Sequence, residues 1–184
     1  MTSPQVFGFS REETRALLII FAFLILVSIP NFVISFRKSR DAQRKADVRT
    51  ITDSLNNFAQ EFGGIPLAID GKIAACHPEI IDDGKTTIYQ PCEWGVDSIG
   101  DLKRIPVDPH NSQGTKYLYL SNGKRIQLYA SLEGKDEAEY DPKILARNLK
   151  CGIKICNFGL SSGNTPLDKS IEEYENELLE KEQK

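Results

Sequence analysis

An uncharged run of 21 residues, Ala16–Phe36, most constrains what this chain can fold into. As an α-helix the run would extend about 31 Å, which matches the hydrocarbon thickness of a lipid bilayer. We therefore predict one membrane-spanning helix near the start of the chain. Pro30 removes one backbone donor, and we expect it to bend the helix rather than end it, because apolar residues follow.

The helical pattern continues beyond the membrane run. Large apolar residues recur at spacings of three and four, at Val48, Ile51, Leu55, Phe58 and Phe62. Such a stripe needs a partner surface, and we expect a sheet. Gly63 and Gly64 supply a stop signal and Pro66 prevents continuation, so the pattern predicts one helix of more than fifty residues.

A hairpin signature supplies the sheet. Two runs of alternating aromatic and branched residues, Lys116–Leu120 and Arg125–Leu132, flank the turn signal Ser121-Asn122-Gly123. Alternation places Tyr117 and Tyr119 on one face and the intervening leucines on the other. We interpret residues 65–114 as dominated by loops, with a short strand around Thr86–Tyr89 and a short helix around Asp97–Arg104.

Charge is distributed in blocks although the net charge is only −3. Arg37–Arg49 holds six basic and two acidic residues directly after the span, and we interpret it as contacting lipid headgroups rather than nucleic acid. Asp168–Lys184 holds seven acidic and three basic residues. A thin apolar stripe there favours a short surface helix with Asp168 near its cap, and a frayed tail is the alternative.

Four cysteines all follow the membrane run: Cys76, Cys92, Cys151 and Cys156. An even number on one side of a membrane is typical of a disulfide framework in an oxidising compartment. Three connectivities are possible, and pairing of sequence neighbours is topologically the easiest. A zinc site would need closer cysteine pairs, with only His77 nearby as a further ligand. No nucleophile–base constellation is evident, so we expect no enzymatic activity.

Four residues near the N-terminus stand in a particular register. Gly8 precedes Phe9, and counting from Phe9 as the first position places Glu13 fifth and Pro30 twenty-second. This register resembles the N-terminus of type IV pilins and of the pseudopilins of type II secretion. Three further segments resemble the major pseudopilins, namely Arg37–Val48, Phe62–Pro66 and Ile105–Pro109. The resemblance therefore covers about residues 7–163.

The resemblance implies an α+β, pilin-like fold in which a long N-terminal helix packs on a small antiparallel sheet. The implied segments are a leader peptide (1–8), the transmembrane half of the long helix (9–36), its amphipathic half (37–62) and a globular head of loops and sheet (63–163). The acidic tail (164–184), with the helix described above as one alternative, follows the part that the resemblance covers.

The resemblance also implies a structural role, in which subunits leave the membrane and assemble into a helical filament. Cleavage would follow Gly8, Phe9 would be methylated, Glu13 would set the register against a neighbouring amine, and Pro30 would bend the helix. Implied partners are further copies of the chain, minor pilins or pseudopilins, a prepilin peptidase, a membrane platform protein, a separate assembly ATPase and the lipid bilayer. No nucleic acid is expected.

Several major pseudopilins bind calcium in a loop after the equivalent hairpin. The acidic stretch here supplies hard oxygen ligands for such an ion, at Asp136, Glu137, Glu139 and Asp141. The alternative is an acidic loop that is simply solvated, because the spacing matches no EF-hand. We expect no other cofactor.

The sequence leaves open whether the chain polymerises at all. Phe7 occupies the place where the family carries a basic residue, and Arg11–Arg15 is polar. Both features favour a single-pass anchored binding module that keeps residues 1–8 and never polymerises.

The sequence also gives conflicting signals on the side of the membrane where the head lies. The basic stretch after the span favours a cytoplasmic head by the positive-inside rule, whereas the cysteines and the resemblance favour an N-terminus inside and a periplasmic or extracellular head. We prefer the outward topology. Pilus and secretion pseudopilus are equally compatible with the sequence.

Overall fold

The computed structural model describes residues 11–81 and 87–183. The chain divides into two compact units, one extending to Ser39 and the other from Arg40 onwards. One long helix, α1 (Arg11–Phe62), contributes residues to both. Within the described residues the protein is α+β, with a long N-terminal helix and small antiparallel sheets.

The first unit consists of the α1 residues up to Ser39. Its large apolar side chains between Leu17 and Phe36 are exposed, and Pro30 lies inside the continuous helix. The prediction that Pro30 does not end the helix is therefore confirmed.

In the second unit, α1 buries one stripe. Val48, Ile51 and Leu55 are completely buried, and Phe58 packs partly buried against the same core. Phe62 remains 62 % exposed. The apolar stripe predicted from sequence is thus confirmed up to Phe58, and the helix ends one residue before Gly63, whose φ is +76°.

A first three-stranded antiparallel sheet follows α1, with the order β1 (Leu67–Ile69), β2 (Lys72–Ile80) and β3 (Thr87–Pro91). The short strand predicted around Thr86–Tyr89 corresponds to β3. The description of residues 65–114 as loop-dominated is wrong for β1 and β2. Irregular register interrupts β2 around Cys76, and Pro78 lies within the strand, so its sequence lacks the alternation by which strands are recognised.

The predicted short helix around Asp97–Arg104 is also wrong. Ile99 and Leu102 form an isolated antiparallel bridge there, and each donates its backbone N–H to the other's carbonyl. Ile105 N–H donates to Asp97 O. The segment is therefore a series of turns that places Ile99 and Ile105 in the core.

The predicted hairpin forms the second sheet. Strands β4 (Leu118–Ser121) and β5 (Ile126–Ala130) pair antiparallel, and β5 also pairs with β8 (Phe158–Ser161). The Asn122 Oδ1 atom accepts hydrogen bonds from the N–H groups of Lys124 and Arg125, and Gly123 adopts a φ of +84°. Asn and Gly at these positions satisfy the turn that joins the two strands.

Strand β5 is buried on both faces, so the second unit has one hydrophobic cluster on each side of this strand. Ile126, Leu128 and Ala130 belong to the core that includes the α1 stripe. Tyr129 belongs to a second cluster with Ile144. Tyr117 and Tyr119 lie in the first cluster, whereas Leu118 and Leu120 pack against the second, as strand alternation predicts.

The C-terminal segments cover the second face of the sheet. They comprise α2 (Pro142–Ala146), the two-stranded β6 (Lys150–Cys151) and β7 (Lys154–Ile155), and α3 (Ile171–Glu182). The tail is helical as one alternative held, and Asp168 lies two residues before the residue that caps the helix. Ser170 caps α3 through a reciprocal capping box with Glu173, because Ser-x-x-Glu satisfies two helix-end donors at once.

Candidate assembly, charge and disulfide sites

The membrane segment is the first candidate site. By length and composition α1 could cross a membrane, and its apolar window is unburied by protein among the described residues. Glu12 and Glu13 lie in the same turn at its start, and Pro30 lies within it. The predicted processing residues Gly8 and Phe9, with the leader 1–8, lie outside the described residues.

The second candidate site is a buried charge cluster around Arg44. The Arg44 guanidinium donates to both carboxylate oxygens of Asp108, at 2.8 and 3.2 Å, to Asp41 at 2.9 Å and to Glu133 at 2.7 Å. The Arg44 side chain is only 1 % exposed. Burial works against its charge, but the hydrogen bonds to these carboxylates outweigh burial and raise the Arg44 pKa.

The aspartates of the cluster also accept hydrogen bonds from backbone N–H groups. Asp41 accepts the backbone N–H groups of Glu133 and Gly134, both at 2.9 Å, and Asp108 accepts that of His110 at 2.7 Å. Together with the Arg44 hydrogen bonds, these contacts join α1 to the segment before β4 and to the loop after β5. The cluster therefore fixes α1 against two distant parts of the head.

Glu133 also pairs with Arg40. The Arg40 guanidinium donates to both Glu133 oxygens, at 2.8 and 2.6 Å, in the bidentate geometry that suits a carboxylate. The hydrogen bonds from Arg40, assisted by those from Arg44, lower the pKa of Glu133 to about 2. Glu133 is thus ionised throughout the neutral range and locks the helix to the loop.

The acidic loop is held by a cation from the protein itself. Lys45 Nζ donates to Glu137 at 2.8 Å and to Glu139 at 3.0 Å, and Arg49 lies 3.9 Å from Glu139. The hydrogen bond to Glu137 contributes most to raising the Lys45 pKa. Asp141 instead caps α2 by accepting the Lys143 N–H at 2.8 Å.

This arrangement bears on the predicted calcium ligands Asp136, Glu137, Glu139 and Asp141. The ammonium of Lys45 occupies the approach to two of these carboxylates, and a third serves as a helix cap. Among residues 11–81 and 87–183, no group of three or more acidic, histidine or cysteine side chains is arranged to hold a metal ion. The calcium prediction gains no support from this geometry.

The basic stretch after the span also has a role that the sequence did not predict. Three of its six basic residues form close ion pairs with carboxylates of the head: Arg40, Arg44 and Lys45. Arg49 lies 3.9 Å from Glu139 and its side chain is 62 % exposed. The headgroup-contacting interpretation of the stretch stays a prediction.

The cysteines pair as sequence neighbours. Cys76 bonds to Cys92 and Cys151 to Cys156, with Cα atoms 5.1 and 5.2 Å apart. The first bond fixes β2 to the residue that follows β3, and the second closes the β6–β7 hairpin. All four sulfurs are thereby used, so the zinc alternative has no free cysteine ligand.

Sequence reasoning missed Asp41, Arg44, Asp108 and Glu133 as a site. One signal was available, because Arg44 lies four residues before Val48 and so extends the apolar stripe of α1 by one turn. A charge in a buried stripe indicates buried partners. Asp41 lies only three residues from Arg44, but Asp108 and Glu133 lie 64 and 89 residues away, and no local pattern identifies these two.

Comparison with family models, with curated proteins and with solved structures finds no match to this chain. The functional assignment therefore rests on the residues and their geometry.

We predict an acid-sensitive fold governed by Glu133. The pKa of Glu133 is about 2 in the folded protein, below its ordinary value of 4.5. The stabilisation that the ionised Glu133 contributes is therefore complete above pH 4.5 and is lost as the pH falls towards 2. Urea titration of the full-length chain in detergent follows the free energy of unfolding over this interval, and the part of its decline that is due to Glu133 should be at most about 3 kcal/mol, less solvent screening.

Glu133→Gln should be less stable at neutral pH and should show a smaller decline over the same interval. The exposed Glu79→Gln serves as the matched control and should follow the wild type. Parallel curves for Glu133→Gln and the wild type would show that Glu133 does not lock the helix.

A further prediction separates Lys45 from a metal ion as the cation that holds the acidic loop. Lys45→Met should destabilise the head by about 1 to 3 kcal/mol, because it leaves two carboxylates without their donor. Lys103→Met, at an exposed position, is the control. A chelator should leave the unfolding temperature of the wild type unchanged, and a marked fall on chelation would restore the calcium interpretation.

Proposed function

We propose that this chain is a pilin-type structural subunit, held in the cytoplasmic membrane by α1 and assembled from there into a helical filament. The observation that carries the proposal is a combination. Gly8, Phe9, Glu13 and Pro30 stand in pilin register in the sequence. Glu13 and Pro30 lie on a helix that is apolar enough to cross a membrane and that continues into a disulfide-bonded α+β head.

The two parts of α1 suit the two requirements of such a subunit. The part before Ser39 carries exposed apolar side chains, which can exchange lipid for the helices of other subunits. The part after Arg40 is fixed to the head by the buried Arg44 cluster and by the Val48, Ile51 and Leu55 stripe. A subunit drawn out of the bilayer needs both properties.

The disulfides support the outward topology, whereas the positive-inside rule favours a cytoplasmic head because six basic residues follow the span. The two disulfides favour an oxidising compartment. We therefore place the head in the periplasm or outside the cell.

One observation favours a second candidate, a single-pass anchored binding module that does not polymerise. Residues Arg11–Arg15 are polar or charged, and a filament core would have to accommodate them at low dielectric. The processing state of the native protein distinguishes the two candidates.

Processing is the first test. The protein isolated from its native membrane should lack Met1–Gly8 and should carry one added methyl group on Phe9, because the Gly8–Phe9 bond stands in register with Glu13. Intact-mass measurement checks both changes. A chain that still begins near Met1 would favour the anchored module.

Assembly is the second test, through Glu13. Glu13→Ala should leave membrane abundance normal, because removing a charge does not hinder insertion, but should sharply reduce filament yield. The Glu13 carboxylate would stabilise the filament strongly if it met a neighbour's amine in a core of low dielectric, whereas an exposed ion pair contributes only about 0 to 1 kcal/mol.

Glu12→Ala is the matched control, since Glu12 lies in the same turn of α1 and carries the same charge. It should assemble more nearly as the wild type does. Equal filament counts for the wild type and Glu13→Ala, by electron microscopy or sheared yield, would leave Glu13 as an ordinary interfacial charge.

A further inference from the structure

The membrane part of α1 carries its polar side chains on one face. Ser28, Asn31 and Ser35 are spaced by three and four residues, so they fall within about 60° of one another around the helix. Within Ala16–Phe36 an apolar surface would serve a lipid-facing helix best. Three polar residues on a common face therefore need an explanation.

Asn31 is the most demanding of the three. Its amide has two N–H donors and a carbonyl acceptor, and its side chain is exposed on the helix. Ser28 donates its hydroxyl to Leu24 O at 2.7 Å within the helix. Asn31 has no side-chain partner in the part of the chain that the structure describes. In hydrocarbon an amide in this position is stabilised only when another polar group reaches it.

The polar face continues as an apolar seam towards the N-terminus. Leu17, Phe21 and Leu24 precede Ser28 at the same alternation of three and four, and a surface groove runs between them. These side chains are 48 %, 63 % and 57 % exposed. The whole face therefore has the heptad spacing of a helix that packs along its length against another helix.

We propose that this seam pairs two copies of the chain in the membrane as a parallel dimer in register, with the Asn31 amides hydrogen-bonded across the interface. An asparagine amide is complementary to itself, because each copy can donate an N–H to the other's carbonyl. Single-pass anchors inserted in the same direction are parallel, and a twofold axis along the helices brings equivalent residues to equal depth. Ser28 and Ser35 are small enough to let the backbones approach around Asn31.

The dimer rests on the membrane span alone and not on the proposed function. Neighbours in a helical filament are displaced along its axis, so an in-register pair is a different contact. The dimer would be a membrane state of the chain whether or not the chain polymerises.

The test uses the full-length chain in vesicles of phosphatidylethanolamine and phosphatidylglycerol, without any assembly machinery. Energy transfer between labelled copies reports the dimer fraction as the protein is diluted in lipid. Asn31→Leu should weaken dimerisation by about threefold to thirtyfold, since hydrogen bonds between membrane helices have about that worth. Phe32→Leu, a change at an exposed neighbour outside the seam, should have a much smaller effect.

Oxidative cross-linking provides a second measurement that does not depend on Asn31. A thiol introduced by Ser35→Cys should form a disulfide between copies when copper phenanthroline and oxygen supply the oxidant. Val33→Cys is the matched control, because Val33 is 63 % exposed and points about 160° away from Ser35. It should cross-link much more slowly.

Three results would overturn the proposal: a wild type that remains monomeric, equal dimerisation by wild type and Asn31→Leu, or equal cross-linking at positions 33 and 35. Loss of filaments with an intact vesicle dimer would count against the proposed function only. Normal filaments without the dimer would count against this inference only.

Discussion

The buried guanidinium of Arg44 is the interaction on which the second unit depends. Removing such a charge from water is costly unless it is paired, and here three carboxylates from three separate segments accept hydrogen bonds from all three nitrogens of the guanidinium. Arg44 lies on the same side of α1 as Val48, Ile51 and Leu55. One rotation and one axial position of the helix therefore satisfy both the apolar core and the charge cluster, and this double requirement selects a single docking of the helix.

Electrostatics and topology are linked through the same segment. Arg40, Arg44, Lys45 and Arg49 follow a helix segment that is apolar enough to cross a membrane, and free basic residues after such a span would contact headgroups or favour a cytoplasmic position. Their carboxylate partners come mainly from residues 108–139, so that the charge of one block of sequence is offset by another. The net charge of −3 thus conceals long-range pairing rather than an absence of charge interactions.

Local patterns predicted the parts of this fold that depend on local physics. The spacing of Val48, Ile51 and Leu55 predicted the buried helix face, and Asn122-Gly123 predicted the hairpin, because helix period and turn geometry are properties of neighbouring residues. Strand β2 was missed because Pro78 and irregular register break its alternation. The Arg44 cluster was missed because it joins residues up to 92 positions apart, and only the folded chain brings them together.

The two parts of α1 meet opposite physical demands with one secondary structure. After Arg40 the helix is held by burial and by ion pairs that exclude water, which makes its docking specific. Between Ala16 and Phe36 nearly every side chain is apolar and unburied by protein, so in a bilayer lipid and another helix would compete for the same surface at nearly equal free energy. When these two free energies are nearly equal, a single amide changes the preference for lipid or helix more than many leucines do. In the proposed dimer the Asn31 amide would exchange the hydrogen bonds that it loses in lipid for hydrogen bonds to a second helix, and this exchange would bias an otherwise nearly neutral surface towards association.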